Sequence, residues 1–411
     1  MNILFLTMGR FDSIEAHSMY ADLLRCFRNH GHEIYTITPY ERKTGKKTEL
    51  AHEKRAHVLH VKTGDVTGAN NMISKGLAQI SIEPIYIKAI KYYFSDVKFD
   101  LVMYSTPPIT FSKVVEFVKK RDGAKSYLLL KDIFPQNAVD LGIMTKNGVK
   151  GLIYKFFRKK EKNLYSLSDS IGCMSEANVK YVLAHNPEIN SSKVEVCPNA
   201  VEVIDQSVSD VKRKVIREKY GIPLDKIVFV YGGNLGKPQG IPFLIECLRR
   251  CDDNNGIYFL IVGDGSEFGK LEAFINQDKP KNVKLLSSLP KEDYDSMVGA
   301  CDVGMIFLDH RFTIPNFPSR LLSYMQAKLP VFAVTDPNTD IGKTIVDEEC
   351  GWWCESNNPD CFLQVVKTIL NENISLMGNK GFAYLNEKYN TETAYKIIAE
   401  HFLIKDCENR K

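Results

Sequence analysis

The sequence predicts an α/β protein that folds as two Rossmann-like, doubly wound domains facing each other across a cleft. The chain has 411 residues, well above the usual domain size of about 150, so two domains are expected. Short apolar runs alternate with amphipathic stretches of helical length, which is typical of parallel sheets covered by helices. The strand series also begins twice in the same way: the runs 3–9 and 227–233 both end in a glycine turn before a helical stretch.

The predicted elements follow one another in chain order. In the first half, apolar runs predict strands at 3–7, 33–38, 58–61, 101–105, 126–130, 170–174 and 193–197. Amphipathic stretches predict helices among them at 17–30, 111–121 and 176–185. A second series of strands is predicted at 227–231, 257–262, 283–286, 303–308 and 331–334.

The domain boundary is predicted where the sequence becomes polar, at about 200–208. We therefore expect a first domain at 1–203 and a second at 204–390. The final segment, about 391–411, is predicted to be a helix that packs back on the first domain. A cleft between two such domains is a natural ligand site.

Composition and charge exclude several classes of protein. Hydrophobic residues make up 44% and charged residues 25%, which excludes disorder, collagen and coiled coil. The net charge of +4 is too small to indicate a nucleic-acid coat. Ten cysteines are too dilute for a disulfide scaffold and indicate reduced thiols in the cytoplasm. The apolar run at the N-terminus is too short for a signal sequence, and no window reaches the roughly 18 apolar residues of a membrane span.

The second glycine turn, at 231–240, is a candidate anion site. Glycines let backbone N–H groups approach a phosphate, and the following helix offers its positive N-terminal end. The turn holds four glycines and three polar side chains: Gly232, Gly233, Gly236, Gly240, Asn234, Lys237 and Gln239. The alternative is an ordinary tight turn between a strand and a helix. Neither Gly-x-Gly-x-x-Gly nor a Walker motif occurs here, which argues against NAD enzymes and P-loop NTPases.

A second candidate lies at 309–331, where a loop carrying Arg311 runs into a predicted helix. We predict that Pro318 lies in the first helical turn and that Ser319 caps the N-terminus. Arg320 would then place a charged donor beside free N–H groups, which suits a diphosphate. The alternative for Arg320 is a solvated position on a surface helix.

Several short motifs, in their order, resemble glycosyltransferase family 4. In the second half these are Gly-Gly-Asn-Leu-Gly at 232–236, Val-Gly-Asp-Gly at 262–265, Pro-Ser-Arg-Leu-Leu-Ser-Tyr-Met at 318–325 and Pro-Val at 330–331. In the first half they are Tyr-Ser-Thr-Pro-Pro at 104–108, Leu-Lys-Asp-Ile-Phe-Pro at 130–135, Cys-Met-Ser-Glu at 173–176 and Cys-Pro-Asn-Ala at 197–200. The resemblance spans nearly the whole chain. It is strongest to enzymes that build bacterial capsule and O-antigen units, including N-acetylfucosaminyltransferases.

The resemblance implies a GT-B fold and retaining transfer from a nucleotide sugar, with neither cofactor nor metal. The resemblance also implies that the donor binds mainly to the second domain. The leaving diphosphate would be stabilised there by Arg320, Lys237 and the Gly232–Gly233 amides. The full set of donor-binding candidates is Gly232, Gly233, Asn234, Lys237, Gln239, Arg311, Ser319 and Ser323, with Arg320 also catalytic. Asp132, in the motif at 130–135, would orient the acceptor hydroxyl or the transferred sugar, or would simply be a loop carboxylate.

The sequence also departs from the family pattern. Two glutamates separated by seven residues are common in the family, the second binding the ribose, and here Pro315 and Ser323 take their places. Arginine and lysine are common in the glycine turn, where this chain has Asn234 and Gln239. A serine offers less to two ribose hydroxyls than a carboxylate, so either Ser323 or a carboxylate from 335–340 is expected to bind the ribose.

A basic segment at 146–162 carries seven positive residues and one negative residue. Apolar residues interleave with these charges at helical spacing, which is typical of a helix lying on an anionic membrane. The residues expected to face the membrane are Lys155, Phe156, Phe157, Arg158 and Lys159. The alternative is an amphipathic helix whose apolar side lies in the core. Nucleic acid is least favoured, because no recognised binding module accompanies the segment.

Our hypothesis from the sequence is therefore a retaining, metal-independent glycosyltransferase of capsule or O-antigen biosynthesis. It would move a sugar, such as an N-acetylated aminosugar of the N-acetylfucosamine type, from a UDP-sugar to a lipid-diphosphate-linked acceptor. It would work in the cytoplasm, attached peripherally to the inner face of the membrane. The alternatives are a UDP-sugar 2-epimerase of the same fold and a non-catalytic binding subunit.

Overall fold

The computed structural model describes residues 1–65, 72–251 and 256–403. The chain forms two compact units. One comprises Met1–Glu202 together with the segment that starts at Asn390, and the other comprises Val203–Tyr389. Each unit is built on its own β-sheet.

The first unit contains an eight-stranded sheet. Its strands are β1 (Asn2–Leu6), β2 (Glu33–Glu41), β3 (Glu49–Glu53), β4 (Ala56–Thr63), β5 (Leu101–Ser105), β6 (Lys125–Leu130), β7 (Ser170–Cys173) and β8 (Val194–Val196). The spatial order is β3-β4-β2-β1-β5-β6-β7-β8, and all neighbours are parallel except β3, which pairs antiparallel with β4. The helices are α1 (Met19–Asn29), α2 (Met72–Tyr93), α3 (Ser112–Asp122), α4 (Gln136–Asp140), α5 (Gly148–Leu167) and α6 (Glu176–His185).

The second unit contains a six-stranded sheet in which every neighbouring pair is parallel. Its strands are β9 (Ile227–Gly232), β10 (Ile257–Val262), β11 (Val283–Leu286), β12 (Val303–Phe307), β13 (Val331–Thr335) and β14 (Gly351–Glu355). The helices are α7 (Asp210–Lys219), α8 (Ile241–Arg250), α9 (Phe268–Asp278), α10 (Lys291–Gly299), α11 (Arg320–Gln326), α12 (Ile341–Asp347), α13 (Pro359–Ile369) and α14 (Ile374–Lys388). The order β11-β10-β9-β12-β13-β14 reverses between β9 and β12, and such a switch point is where doubly wound sheets bind ligands.

The central strands are buried on both faces because helices cover both sides of each sheet. In β1 the run from Ile3 to Leu6 is fully buried, and Val228–Tyr231 of β9 is buried in the same way. Parallel strands of this kind read as continuous apolar runs rather than as an alternating pattern. This explains why the apolar runs of the sequence locate these strands well.

The last helix, α15 (Thr391–Leu403), packs on α1 in the first unit. The rings of Phe27 and Tyr395 lie edge to face with centroids 4.8 Å apart, and Ile398 is fully buried beside them. The C-terminal helix therefore lies in the same compact unit as α1.

The predicted fold class is confirmed, while two edge strands were missed. β3 is half-exposed along its length and pairs only with β4, so its sequence lacks the apolar run of a central strand. β14 begins with Gly351, where a Cβ would lie 1.9 Å from the Val331 carbonyl oxygen. Among the described helices, none is both long and apolar enough to cross a membrane.

Candidate functional site

A pocket of about 640 Å³ lies in the second unit at the carboxyl end of β9, beside the switch point. Two glycine turns form its floor, after β9 and after β10. The loop before α10 and the start of α11 form its walls. Its polar lining consists of Asn234, Asp264, Ser288, Tyr294, Ser319, Arg320 and Ser323.

The two glycine turns hold each other in place. The Gly233 N–H donates to the Val262 carbonyl at 2.9 Å, and the Leu235 N–H donates to the Asp264 carbonyl at 2.8 Å. Gly263 has φ +152°, and a Cβ there would lie only 1.8 Å from the Gly233 carbonyl oxygen. This close approach of two backbones requires glycine and leaves the floor of the pocket little freedom.

The predicted role of the Gly232–Gly233 amides as phosphate donors is wrong, because both amides are already used. The Gly232 N–H donates to the Tyr324 hydroxyl at 3.2 Å, and the Gly233 N–H donates to Val262 as described above. The two glycines serve the pocket in other ways. A Cβ on Gly232 would lie 1.8 Å from the Tyr294 hydroxyl, whereas Gly233 is required by its backbone, which has φ +116°.

Arg320 is the positively charged residue of the pocket lining. Its guanidinium carbon lies 4.3 Å from the centroid of the Tyr231 ring, a cation–π contact that fixes the side chain. Arg320 Nη1 is buried and has no hydrogen-bond partner among the described residues. A guanidinium keeps its charge at physiological pH, so the pocket lining holds a permanent cation. This arrangement suits an anionic ligand.

Ser319 precedes the first residue of α11, but it does not cap the helix as predicted. Its backbone is helical, with φ −64° and ψ −16°, and its hydroxyl makes no capping hydrogen bond. The helix begins at Arg320, so Pro318 lies before its first turn. The hydroxyls of Ser319 and Ser323, like the Asn234 side chain, line the pocket.

Three other predicted donor-binding residues do not line this pocket. Gln239 braces the glycine turn, since its Oε1 accepts from the Gly236 N–H at 3.1 Å and from Asn234 Nδ2 at 3.2 Å. Arg311 forms a two-pronged ion pair with Asp309, with Nε–Oδ1 at 2.8 Å and Nη2–Oδ2 at 2.7 Å. Lys237 is exposed in the short turn before α8 and lies outside the lining.

The carboxylates at 335–340 do not reach the pocket either. Asp336 is fully buried and accepts from the Asn338 N–H at 2.9 Å, and burial raises its pKa to about 6. Asp264, which was not assigned from the sequence, is the carboxylate in the pocket lining. It accepts hydrogen bonds from the Ser288 hydroxyl and from the Ser288 N–H. Its place in the Val-Gly-Asp-Gly motif, directly after a predicted strand, was the feature of the sequence that could have identified Asp264.

Tyr294 was also missed by the sequence analysis. It lies in the middle of α10, and its ring fills the space above Gly232. Burial raises its pKa to about 12, so its hydroxyl is neutral and can donate. The sequence offered only the pattern Asp-Tyr-Asp, in which the acidic residues form surface ion pairs with Lys219 and Lys291.

In the first unit, Asp132 follows β6 at the carboxyl end of the sheet. Asn137 Nδ2 donates to both carboxylate oxygens, at 2.9 and 2.8 Å. Burial raises the pKa of Asp132 to about 6, although the hydrogen bonds from Asn137 and from the Ile133 backbone lower it. Asp132 is thus a positioned carboxyl group that changes charge close to neutral pH.

The basic segment forms most of α5, whose exposed face carries both apolar and basic side chains. Leu152 is 64% exposed, Ile153 52% and Phe156 43%. Lys155 and Lys159 are exposed on the same helix. Amphipathic helices that lie on membranes combine apolar and basic residues in this way.

Two of the residues predicted to face a membrane point into the unit instead. Arg158 donates to the His185 carbonyl at 2.8 Å and to Asn186 Oδ1 at 2.6 Å, and it pairs with buried Glu161. Phe157 is half-buried, with its ring centroid 5.1 Å from that of Phe134. These side chains hold α5 in place, so the predicted membrane face is wrong at both positions.

Lys160 is likewise committed to the fold. Its Nζ lies 3.1 Å from Oε2 of buried Glu83 on α2. Of the seven basic residues in the segment, at least Arg158 and Lys160 therefore neutralise buried carboxylates rather than adding to an exposed charge.

Comparison with known proteins agrees with the geometry. Residues 212–380 match the family model described as "Glycosyl transferases group 1". The chain carries a group 1 glycosyltransferase domain. That domain covers the pocket from Gly232 to Ser323, so the predicted resemblance to glycosyltransferases is confirmed.

Relatives extend the likeness over most of the chain. This chain is 25% identical to "Probable glycosyltransferase WbjE" of Pseudomonas aeruginosa over 323 residues, which is 78% of each chain. The structure of Anabaena Alr3699/HepE in complex with UDP is similar with a TM-score of 0.69 and 15% identity, over 98% of this chain and 99% of that one. WaaG, a glycosyltransferase involved in lipopolysaccharide biosynthesis, gives a TM-score of 0.67 and 14% identity, over 98% and 100%. The two-sheet architecture of this chain is thus that of the GT-B fold.

Proposed function

We propose that the protein transfers a sugar, with retention, from a UDP-sugar to a lipid-diphosphate-linked acceptor in capsule or O-antigen biosynthesis. The observation that carries the proposal is Arg320, a cation fixed in the lining of the pocket of the glycosyltransferase domain, whose Nη1 has no hydrogen-bond partner in the described part of the chain. The similarity to a protein solved in complex with UDP supports UDP as the nucleotide. The similarity to WaaG supports a place in the synthesis of a cell-envelope polysaccharide.

In this proposal the donor diphosphate binds at Arg320. Transfer breaks the bond between the sugar and the diphosphate, so negative charge grows on the leaving UDP. Arg320 can stabilise that charge without moving, because Tyr231 already holds its guanidinium. The hydroxyls of Ser319 and Ser323 supply further donors, and Ser323 takes the ribose in place of the usual glutamate.

The positive charge needed at the diphosphate is supplied by the protein, so we propose that transfer requires no divalent metal. An arginine that is fixed in a pocket stabilises a developing anion in the same way as a bound cation does. The proposal also needs no redox or group-carrying cofactor, because sugar transfer involves no net oxidation or reduction and the nucleotide itself carries the sugar.

Asp132 is proposed to act on the acceptor side of the reaction. A carboxylate can accept a hydrogen bond from a sugar hydroxyl and hold it for attack. Asn137 fixes both carboxylate oxygens, which gives Asp132 a defined orientation. Its pKa of about 6 leaves it mainly ionised at neutral pH, in the form that accepts.

The exposed face of α5 is proposed to bind the inner surface of the cell membrane, where a lipid-linked acceptor would lie. Leu152, Ile153 and Phe156 would enter the lipid boundary, while Lys155 and Lys159 would meet anionic headgroups. The protein would then be peripheral and cytoplasmic.

Incubation with UDP-sugars, with and without a lipid-linked acceptor, tests this function. A glycosyltransferase releases UDP only when the acceptor is present. A UDP-sugar 2-epimerase would isomerise the sugar without an acceptor. A binding subunit, an alternative that the missing glutamates at Pro315 and Ser323 favour, would do neither.

A further inference from the structure

Three side chains with metal-binding chemistry meet in the first unit where α15 packs on α1. Cys26 and His30 lie four residues apart at the end of α1, and Glu392 lies in the first turn of α15. Cys26 Sγ is 3.2 Å from Glu392 Oε1, and His30 Nε2 is 2.9 Å from Glu392 Oε2. One ligand atom from each residue lies within 4.8 Å of the other two.

These separations are close to those of a tetrahedral zinc site. With Zn–S near 2.3 Å and Zn–N and Zn–O near 2.0–2.1 Å, neighbouring ligands lie about 3.6 Å apart for S–O and about 3.3 Å for N–O. Measured to the same oxygen, Oε1 of Glu392, the observed separations are 3.2 Å from Cys26 Sγ and 3.2 Å from His30 Nε2, so both are shorter by a few tenths of an ångström at most. Cys26 Sγ and His30 Nε2 lie within 4.8 Å of each other, so small movements of the three side chains would bring all three ligand atoms round one ion.

The neighbouring cluster of His17, Asp22 and Glu202 shows the contrasting case. There the guanidinium of Arg25 lies among the ligand atoms, with Nη2 at 2.6 Å from Asp22 and at 2.7 Å from Glu202. That cluster already contains its cation. Among the described residues, Glu392 has no ion pair with lysine or arginine, and its partners are Cys26 and His30.

The surroundings fix the ligands while leaving a way in from solvent. The His30 ring stacks on Tyr395, with centroids 3.8 Å apart and planes 10° apart, which orients Nε2 towards Glu392. Cys26 is buried, whereas the His30 side chain is 39% exposed and that of Glu392 56%. A fourth, water-filled position could therefore open to solvent.

We propose that Cys26, His30 and Glu392 bind one zinc ion that joins the first helix of the unit to the last. On binding, the Cys26 S–H bond breaks and a Zn–S bond forms, so the thiol proton is released to solvent. His30 binds through Nε2 in its neutral form, and Glu392 binds through a carboxylate oxygen. The thiolate and the carboxylate together neutralise the double charge of the ion.

The proposed ion is structural. It links residues that are far apart in the sequence, and its free energy of binding would add to the stability of the folded unit. It lies in the unit that does not contain the Arg320 pocket, so it is independent of the proposed sugar transfer.

Cobalt(II), used as a spectroscopic substitute for zinc, tests the site. The full chain is freed of metal with a chelator, dialysed and titrated with Co²⁺. We expect one equivalent to bind, with the visible bands of tetrahedral cobalt and the near-ultraviolet band of a cobalt–thiolate bond. Cys26→Ser should abolish the thiolate band, and the matched control Cys361→Ser, at a half-buried cysteine on α13, should retain it.

Thermal unfolding gives a second readout. Zinc should raise the Tm of the wild type and of Cys361→Ser but not that of Cys26→Ser. If Cys26→Ser fails to fold, Glu392→Gln decides in its place, because the amide keeps the shape of the side chain and should lower cobalt affinity at least tenfold. A wild-type chain that binds no cobalt, or a thiolate band that survives in Cys26→Ser, would overturn the proposal.

Discussion

Arg320 is held by Tyr231, and its Nη1 makes no hydrogen bond to the residues that the structure describes. Replacing Arg320 should therefore weaken ligand binding more than it destabilises the fold. Arg320→Ala should remove a charge-assisted hydrogen bond of about 1.5–3 kcal/mol, roughly a 10- to 150-fold loss in donor use. The measurement is initial rate at subsaturating UDP-sugar. Arg311→Ala is the matched control, because Arg311 is paired with Asp309 outside the pocket and should affect the rate far less. Equal rates for wild type and Arg320→Ala would refute the assignment.

Gly232 lies under Tyr294, so any side chain there must displace a wall of the pocket. Gly232→Ala should cost about 1–3 kcal/mol of unfolding free energy through overpacking and should weaken nucleotide binding. Gly269→Ala is the control: a Cβ there meets nothing within 4 Å, and the helical position should gain slightly in stability. Chemical denaturation and calorimetric titration with UDP report both effects. A Gly232→Ala protein as stable as the control would show that Tyr294 moves freely.

Titration of Asp132 should produce a fall in the reaction rate on the acid side of the pH–rate profile. The pKa of Asp132 is raised from the usual value to about 6, so the carboxylate is lost as the pH falls through about 6, and activity should fall with it. The Asp132→Asn protein should have low activity, and that activity should not change with pH near 6. Asn137→Ala should move the fall in rate to higher pH, because the Asn137 hydrogen bonds lower the pKa of Asp132. The measurement is the pH–rate profile of the wild type, Asp132→Asn and Asn137→Ala. If the rate of Asp132→Asn still falls as the pH drops through about 6, another group is responsible for the fall.

Single residues also show where sequence reasoning reached its limit. Arg320, Asn234, Ser319 and Ser323 were found because motif spacing places them at the ends of strands and helices. The amides of the glycine turn were misassigned, because the Tyr324 hydroxyl that uses one of them lies ninety-two residues away. Such long-range hydrogen bonds leave no local pattern in the sequence.

At the scale of elements, α5 carries two kinds of basic residue that its sequence does not distinguish. Lys155 and Lys159 are exposed, whereas Arg158 and Lys160 form ion pairs with buried glutamates. Lys155→Ser combined with Lys159→Ser should lower affinity for anionic vesicles by about 2 kcal/mol, roughly 30-fold, at about 1 kcal/mol for each exposed cation. The loss should shrink in high salt, where screening has already weakened the wild type. Folding should be unaffected, because both side chains are exposed.

The matched variant combines Arg158→Ser and Lys160→Ser, the two basic residues that pair with buried glutamates. It removes the same charge but leaves Glu161 and Glu83 buried without their partners, so it should lower the Tm. Co-sedimentation with anionic and neutral liposomes, together with thermal unfolding, separates the two sets. Equal sedimentation of the wild type and the Lys155/Lys159 variant would show that the exposed face is merely solvated.

The helix also explains why periodicity alone misplaced Arg158 and Phe157. Spacing predicts an amphipathic helix but not which basic residues find buried partners. Those partners, Glu83, Phe134 and Asn186, come from other elements. Central strands were predictable because burial on both faces makes them apolar throughout, whereas the edge strands β3 and β14 carry no such run.

At the scale of the whole molecule, the repeated opening of strand and glycine turn correctly indicated two sheets, the first parallel except at β3 and the second parallel throughout. In the second sheet the strand order reverses between β9 and β12, and the pocket opens beside that point. The position of the site thus follows from topology that the sequence reveals. Part of its polar lining does not, because Asp264, Ser288 and Tyr294 reach the pocket from three separate segments.

The central claim is that this pocket uses Arg320, without a metal, to drive transfer of a sugar from UDP. The most direct measurement is UDP release in EDTA, at a temperature well below the Tm of the chelated protein, with and without a polyprenyl-diphosphate-linked sugar. The account predicts release that requires the acceptor, persists in EDTA and falls roughly 10- to 150-fold in Arg320→Ala at subsaturating donor. Release that is abolished by EDTA and restored by Mg²⁺ or Mn²⁺, or that is unchanged in Arg320→Ala, would contradict it.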